Sequence, residues 1–192
     1  MTDISKYFDW AATSPQDEEI LRDSLSKALC AWGNPSSSHK AGKEAHELFE
    51  KARSSCADTL GVKADAIFFT SGGTESDQIA LLSVLTKPVR GTVLISSIEH
   101  PAIREQALVL KKCGWKVESL KADKLGIITP ETVKEALLKN PDTHMVCVMA
   151  VNNETGIIQP IQEIGTALKN RGILFHSRIN NIYLVINRGF NL

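Results

Sequence analysis

The stretch Thr70-Ser71-Gly72-Gly73-Thr74-Glu75-Ser76 sets hydroxyl side chains on both sides of two adjacent glycines. The apolar run Ala66-Ile67-Phe68-Phe69 leads into it, and a helical pattern with Ile79, Leu81, Leu82 and Leu85 on or near one face leads out. Strand, glycine-rich turn and helix in that order build an anion site. The first helical turn presents unpaired backbone N–H groups, the helix dipole favours negative charge, and glycines let a phosphate approach. Ser71, Thr74 and Ser76 can add hydroxyl donors. An ordinary strand-to-helix loop uses the same residues, the glycines to turn the chain and the hydroxyls to cap the helix. Spacing alone leaves both readings open.

Three further clusters fall where loops should leave strand ends, the edge at which open parallel sheets bind ligands. Glu99-His100 follows the run Thr92–Ser96. A histidine there can stack on a flat ring or shuttle protons, or it can be a polar loop residue that starts a helix. Asn152-Asn153-Glu154-Thr155-Gly156 follows the run His144–Val151. Its amides and carboxylate can read the hydroxyl or carbonyl edge of a ligand, and the same residues make a common Asn/Gly turn. Asn34 to His39 is rich in turn and capping residues.

The elements that must position these clusters follow from periodicity. Helices are expected over about 17–32, through Ile20, Leu21, Leu25, Ala28 and Leu29, and over about 40–60, through Ala45, Leu48, Phe49, Ala52 and Leu60. From residue 66 the chain alternates. Strands are expected at 92–96, 115–120, 144–151 and from 173, with helices at about 101–112, 129–138 and 160–170. Pro101 and Pro130 suit first helical positions. The run His144–Val151 shows little polar alternation, as in a sheet covered on both faces. The pattern is βαβα, an α/β fold with a mostly parallel sheet and flanking helices.

Composition narrows the classes. The 192 residues carry 22 Lys+Arg against 22 Asp+Glu, so no global field points to nucleic acid or membrane. No apolar segment approaches the roughly 20 residues of a spanning helix, and the first residues lack the apolar core of a signal peptide, so a cytoplasmic protein is expected. Cys30, Cys56, Cys113 and Cys147 are scattered without metal-site spacing and read as reduced packing residues; no metal is expected.

Taken together, the clusters are similar to successive blocks of the class V aminotransferase group of pyridoxal-phosphate enzymes, and within it the cysteine desulfurases. The blocks are Tyr7–Thr13, Gly33-Asn34-Pro35-Ser36 with His39, Phe69–Ser76, Glu99-His100, Gly126-Ile127-Ile128 and Val151–Gly156, in family order and at family spacing. The resemblance covers residues 7 to 176. It implies a fold-type I large domain, pyridoxal 5'-phosphate as cofactor and L-cysteine as substrate, converted to alanine with the sulfur left on the enzyme for iron-sulfur assembly. By the same resemblance Gly73 and Thr74 hold the cofactor phosphate, His100 stacks on the pyridine ring and assists proton transfer, and Asn153 contacts the ring. The cofactor is the electron sink and the protein orients it.

The resemblance breaks after Phe175-His176. The family places an aspartate against the pyridinium nitrogen where this chain has Arg178, and a glutamine where it has Asn181. An arginine there repels the protonated ring and removes the electron-sink tuning. The Schiff-base lysine segment has no counterpart, no lysine follows Lys169, and none of the cysteines falls at the persulfide position. Residues 177–192 contain no Asp or Glu and several Asn, and they read as a frameshifted or truncated tail. The expected organisation is an N-terminal helical segment over 1–60, a partial cofactor-binding domain over 61–176 and the atypical tail. The strand from Ile173 is expected to lie unfinished, with an uncovered edge, marginal stability or dependence on a partner. Three functions follow: a desulfurase-like chain inactive by itself, a non-enzymatic partner that pairs with a full-length relative as family homodimers pair, and a small enzyme using the phosphate site for another ligand.

Overall fold

The computed structural model describes residues 4–9, 12–13, 15–179 and 182–186. Trp10, Ala11 and Ser14 of the opening segment, and Asn180, Asn181 and residues 187–192 of the tail, lie outside the described residues. The chain divides into two compact units, Met1–Phe69 and Thr70–Leu192.

The first unit is helical. Helix α1 (Glu18–Cys30) starts at Asp17, whose carboxylate accepts from the Ile20 amide at 3.0 Å. None of its residues is buried; Ile20, Leu21, Leu25 and Leu29 are each more than half exposed. Helix α2 (Lys40–Leu60) is capped by His39 and closes on Gly61, whose φ of 66° is the left-handed conformation a helix C-cap wants. Gly42 in its first turn faces the Asn34–Ser38 turn so closely that a Cβ would stand 2.3 Å from the Ser37 carbonyl oxygen. The Asn34 side chain tightens that turn by accepting from the Ser36 amide at 2.9 Å.

The apolar run before the glycine-rich turn does not form the expected strand. Residues 64–66 make a single 3-10 turn, Ile67 is extended, and Ile67–Phe69 form no ladder. Phe68 is 81% exposed. Phe69 turns instead to Phe49, ring centroids 5.3 Å apart, while Arg53 lies over both rings and donates to the Ile67 carbonyl. Aromatic and cation–π contacts thus take the place of strand pairing for this run.

The second unit is an α/β sandwich. It runs α3 (Gly73–Leu82), β1 (Thr92–Ser96), α4 (Pro101–Lys112), β2 (Lys116–Leu120), α5 (Pro130–Lys139), β3 (Thr143–Cys147), α6 (Ile161–Leu168), β4 (Leu174–Ile179) and β5 (Ile182–Ile186). The sheet order is β2-β1-β3-β4-β5, parallel through β4 and antiparallel between β4 and β5. Adjacent residues on β1 feed opposite faces. Val93 packs with Leu81, Val84, Ile103, Leu110 and Met145, while Leu94 packs with Val133, Leu137, Val146, Ile164 and Phe175. Both faces are covered at the centre of the sheet, which is why β3 lacks polar alternation, while β2 at the edge is mostly exposed.

Three expectations change. The stripe α3 buries is Asp77, Ala80 and Leu81, continued by Val84, whereas Ile79 and Leu85 are exposed. The spacing is the proper i, i+3, i+4, i+7 of one helical face, but its first member is an acid. Strand β3 ends at Cys147, and the chain then runs along β4, with the Val148 and Ala150 amides donating to the His176 and Arg178 carbonyls at 3.1 and 2.8 Å. The strand from Leu174 does not lie unfinished: β5 pairs along it from Phe175↔Ile186 to Ile179↔Ile182, so β4 is not the sheet edge.

Candidate functional site

Loops leave the carboxyl ends of the parallel strands β1, β2 and β3, and the start of α3 adds a further candidate element. Helix α3 opens on Gly73, and its first intrahelical bond runs from the Ser76 amide to the Gly72 carbonyl at 3.1 Å. The amides of Gly73, Thr74 and Glu75 therefore lie ahead of the hydrogen-bonded ladder, the arrangement that attracts anions. A Cβ built on Gly72 meets nothing within 4 Å, so this end of the helix is open. Glu75 reaches back to accept from the Ser71 amide, and the Ser71 hydroxyl, then that amide, hold its carboxyl below the usual range.

His100 is the N-cap of α4, and its Nδ1 accepts from the Ala102 amide at 3.1 Å. The neutral ring then carries its proton on Nε2. Burial, then the Arg178 and Arg104 cations, push its pKa below the ordinary value and keep it neutral. Its neighbour Glu99 is a clamp: Oε1 accepts from the Ser96 hydroxyl at 2.6 Å and from the Met149 amide at 2.7 Å, tying the end of β1 to the chain leaving β3. Burial raises the Glu99 pKa to about 7 against those two hydrogen bonds, and Oε2 has no hydrogen-bond partner.

The two asparagines expected to act together have separate places. Asn152 is buried and builds the turn. Its Oδ1 accepts from the Glu154 and Thr155 amides at 3.0 and 2.9 Å, and its Nδ2 donates to the Ile98 carbonyl at 3.1 Å. Asn153 is exposed at the tip of that turn. The Gly126–Ile128 block is fastened by Gln159, which accepts from the Ile128 amide at 2.8 Å and donates to the Gly126 carbonyl at 2.9 Å.

Behind these loops lies a buried charged cluster. Asp77 is fully buried; Oδ1 lies 3.5 Å from His176 Nε2 and Oδ2 lies 3.7 Å from Arg178 Nη1. Among the described residues neither carboxylate oxygen makes a hydrogen bond, and His176 Nε2 and Ser177 Oγ are likewise unsatisfied. Burial raises the Asp77 pKa to about 6, offset in part by Arg178, and burial lowers that of His176 to about 4. Periodicity missed Asp77, because an acid inside an apolar helical stripe is not a pattern that composition flags. Gln159 had no local signal at all.

The class-V aminotransferase family model matches residues 6–177. The chain belongs to that family. It is 40% identical over 178 residues to a NifS/IcsS protein homolog of Lactobacillus delbrueckii subsp. bulgaricus, covering 92% of this chain and 46% of that protein. It is 39% identical to the cysteine desulfurase IscS of Dictyoglomus turgidum, covering 89% of this chain and 43% of the relative. Among solved structures, a NifS-like protein superposes with a TM-score of 0.80 at 36% identity, covering 89% of this chain and 47% of that one. SspA in complex with cysteine superposes at 0.81 and 33% identity, covering 90% and 50%. This class-V aminotransferase chain is thus cysteine desulfurase-like, and it spans about half the length of the curated relatives it matches. Pyridoxal-phosphate dependence is the trait of the family. No helix among the described residues is long and apolar enough to cross a membrane.

The donor set suits that cofactor at one end and departs from it at the other. Free first-turn amides with the Thr74 hydroxyl suit a phosphate, and a neutral half-buried imidazole suits a flat ring. The end of β4 instead presents the Arg178 guanidinium backed by Asp77.

Proposed function

We propose that this chain forms the phosphate and ring cradle of a desulfurase-type pyridoxal-phosphate site and does not by itself desulfurate L-cysteine. The observation that carries the first half is the open N-terminus of α3, with the Gly73, Thr74 and Glu75 amides ahead of the helical ladder. In this reading the Gly73 and Thr74 amides and the Thr74 hydroxyl hold the phosphate. His100, neutral and tethered through Nδ1 to Ala102, lies against the ring and holds a proton on Nε2. Asn153, released from turn-building by Asn152, contacts the ring. When bound, the cofactor supplies an electron sink for bonds at the substrate α-carbon.

The second half rests on Arg178, which stands where the family resemblance expects a carboxylate. The buried thiol of Cys147 is held well above its ordinary pKa by burial and by Glu99 and Asp77, so it is a poor nucleophile. The test is to incubate the chain with pyridoxal phosphate, measure binding, then reduce with borohydride and map adducts by peptide mass. Saturable binding that Thr74→Ala weakens, with no stoichiometric adduct on one lysine and no alanine formed from cysteine, is expected. A single stoichiometric lysine adduct, or alanine release, would overturn the inactive half; absence of binding would overturn the cradle.

A second reading is favoured by α1, whose Ile20, Leu21, Leu25 and Leu29 are exposed on one helix. An apolar face of that kind suits pairing with a longer family member, and co-purification with such a relative tests it.

A further inference from the structure

We propose that the amino edge of the parallel sheet is a docking face for an extended acidic segment of a partner protein. The inference is independent of the cofactor cradle, whose loops leave the opposite, carboxyl edge. Parallel strands place all their leading segments on one edge, and here those segments, 87–91, 111–116, 139–142 and 169–173, are basic. Arg90 precedes β1, Lys111, Lys112 and Lys116 surround the start of β2, Lys139 precedes β3 and Arg171 precedes β4; all six are exposed. Asp142 is the one acid in these four segments, and its Oδ1 is engaged by the Thr92 hydroxyl at 2.9 Å. The loops at the carboxyl ends of β1, β2 and β3 instead carry Glu99, Asp123 and Glu154 beside Lys121 and Lys124. Tertiary contacts join the basic segments to one another. The Arg90 guanidinium lies against the Gly114 turn, where a built Cβ would stand 2.9 Å from Nη1. Lys116 Nζ donates to Asn140 Oδ1 at 2.7 Å, linking the start of β2 to the approach to β3.

Charge and spacing identify the occupant. Among the described residues Lys116 alone of the six cations has an ion-pair partner, Glu118 at 3.5 Å. The C-termini of α4, α5 and α6 at this edge carry roughly half a negative charge each, too little to cancel the rest. Four strand starts about 4.8 Å apart make a row about 15 Å long, and an extended chain repeats the side chains of one face every ~7 Å, so the row meets about three carboxylates of an alternating acidic segment. Two features favour a peptide over a nucleic acid. The chain has 22 Lys+Arg against 22 Asp+Glu, without the excess positive charge of a nucleic-acid domain. Trp115, the aromatic residue of these segments, is buried in the core and against His144 rather than offered for stacking on a base.

The test is fluorescence anisotropy of the intact chain with a labelled hexaglutamate peptide, and with a single-stranded oligonucleotide of equal charge, at low and at physiological ionic strength. Saturable peptide binding that weakens as salt rises is expected. Lys112→Glu combined with Arg171→Glu should weaken it by about tenfold or more, whereas Lys121→Glu combined with Lys124→Glu, the same charge change at the carboxyl edge, should stay within about twofold. Should the first pair of reversals fail to fold, Lys112→Gln with Lys139→Gln is read instead, and a loss of about threefold or more is expected. No saturable binding of the peptide, equal losses at the two edges, or no loss in either amino-edge variant overturns the inference. Tighter binding of the oligonucleotide than of the peptide also overturns it, by assigning the edge to nucleic acid.

Discussion

Asn152 and Asn153 are adjacent and chemically identical, yet their expected phenotypes are opposite. Asn152→Ala strands the Glu154 and Thr155 amides and the Ile98 carbonyl, and is expected to cost about 1–3 kcal/mol in denaturant unfolding. Asn153→Ala should leave the unfolding midpoint within about 0.5 kcal/mol and weaken cofactor binding instead. Equal destabilisation by both would defeat this division of labour. Glu99 offers a second contrast. Glu99→Gln keeps an oxygen for Ser96 and the Met149 amide and should be close to neutral at pH 7, whereas Glu99→Ala strands a buried amide and should cost on the order of 1–3 kcal/mol.

At the scale of elements, helix ends and close approaches set the tolerances. Thr129 caps α5 by accepting from the Thr132 amide at 3.1 Å, so Thr129→Ala is expected to lower stability by about 1 kcal/mol. Gly42→Ala pushes a methyl into the backbone oxygens of Ser37 and Asn34, 2.3 and 2.8 Å from the built Cβ, and should cost about 1–3 kcal/mol in the unfolding of the first unit. On α1, by contrast, Leu25→Ala should shift the isolated chain by less than about 0.5 kcal/mol, because that side chain is more than half exposed. A large loss there would mean that α1 is covered in solution.

For the whole molecule, the buried titratable groups predict how stability follows pH. Asp77 and Glu99 have native pKa values raised to about 6 and about 7 from 3.8 and 4.5, so the native state binds their protons more tightly, and stability falls as pH rises through those windows. His176 is lowered to about 4 from 6.5, so its contribution is lost in the opposite direction, as pH falls from 6.5. His100 and Glu75, both lowered, act in the same sense as His176, so the Glu99 contribution is isolated by comparison. With rising pH between 4.5 and 7 the unaltered chain is expected to lose stability relative to Glu99→Gln, whose amide does not titrate. Denaturant melts of the two chains across that window check this; parallel pH profiles would contradict it.

By itself the sequence determined the alternation of helices and strands from Thr92 onward, the parallel doubly covered sheet, and the loops where site residues stand. Those features come from periodicity and from residues with local conformational meaning: Pro101 and Pro130 at first helical turns, and glycines beside the α3 start. The same local rules misread Ile67–Phe69, because a strand exists only when a neighbour supplies its hydrogen bonds, and here Phe49 and Arg53 supply ring contacts instead. They also missed that Asp77 occupies the inward face of α3, opposite residues of β4 about a hundred positions later in the chain. Which of two asparagines binds the fold, what covers the edge of β4, and which carboxylate faces Arg178 were settled by tertiary structure alone. Each depends on groups distant in sequence being brought within a few ångströms, and no local pattern encodes that.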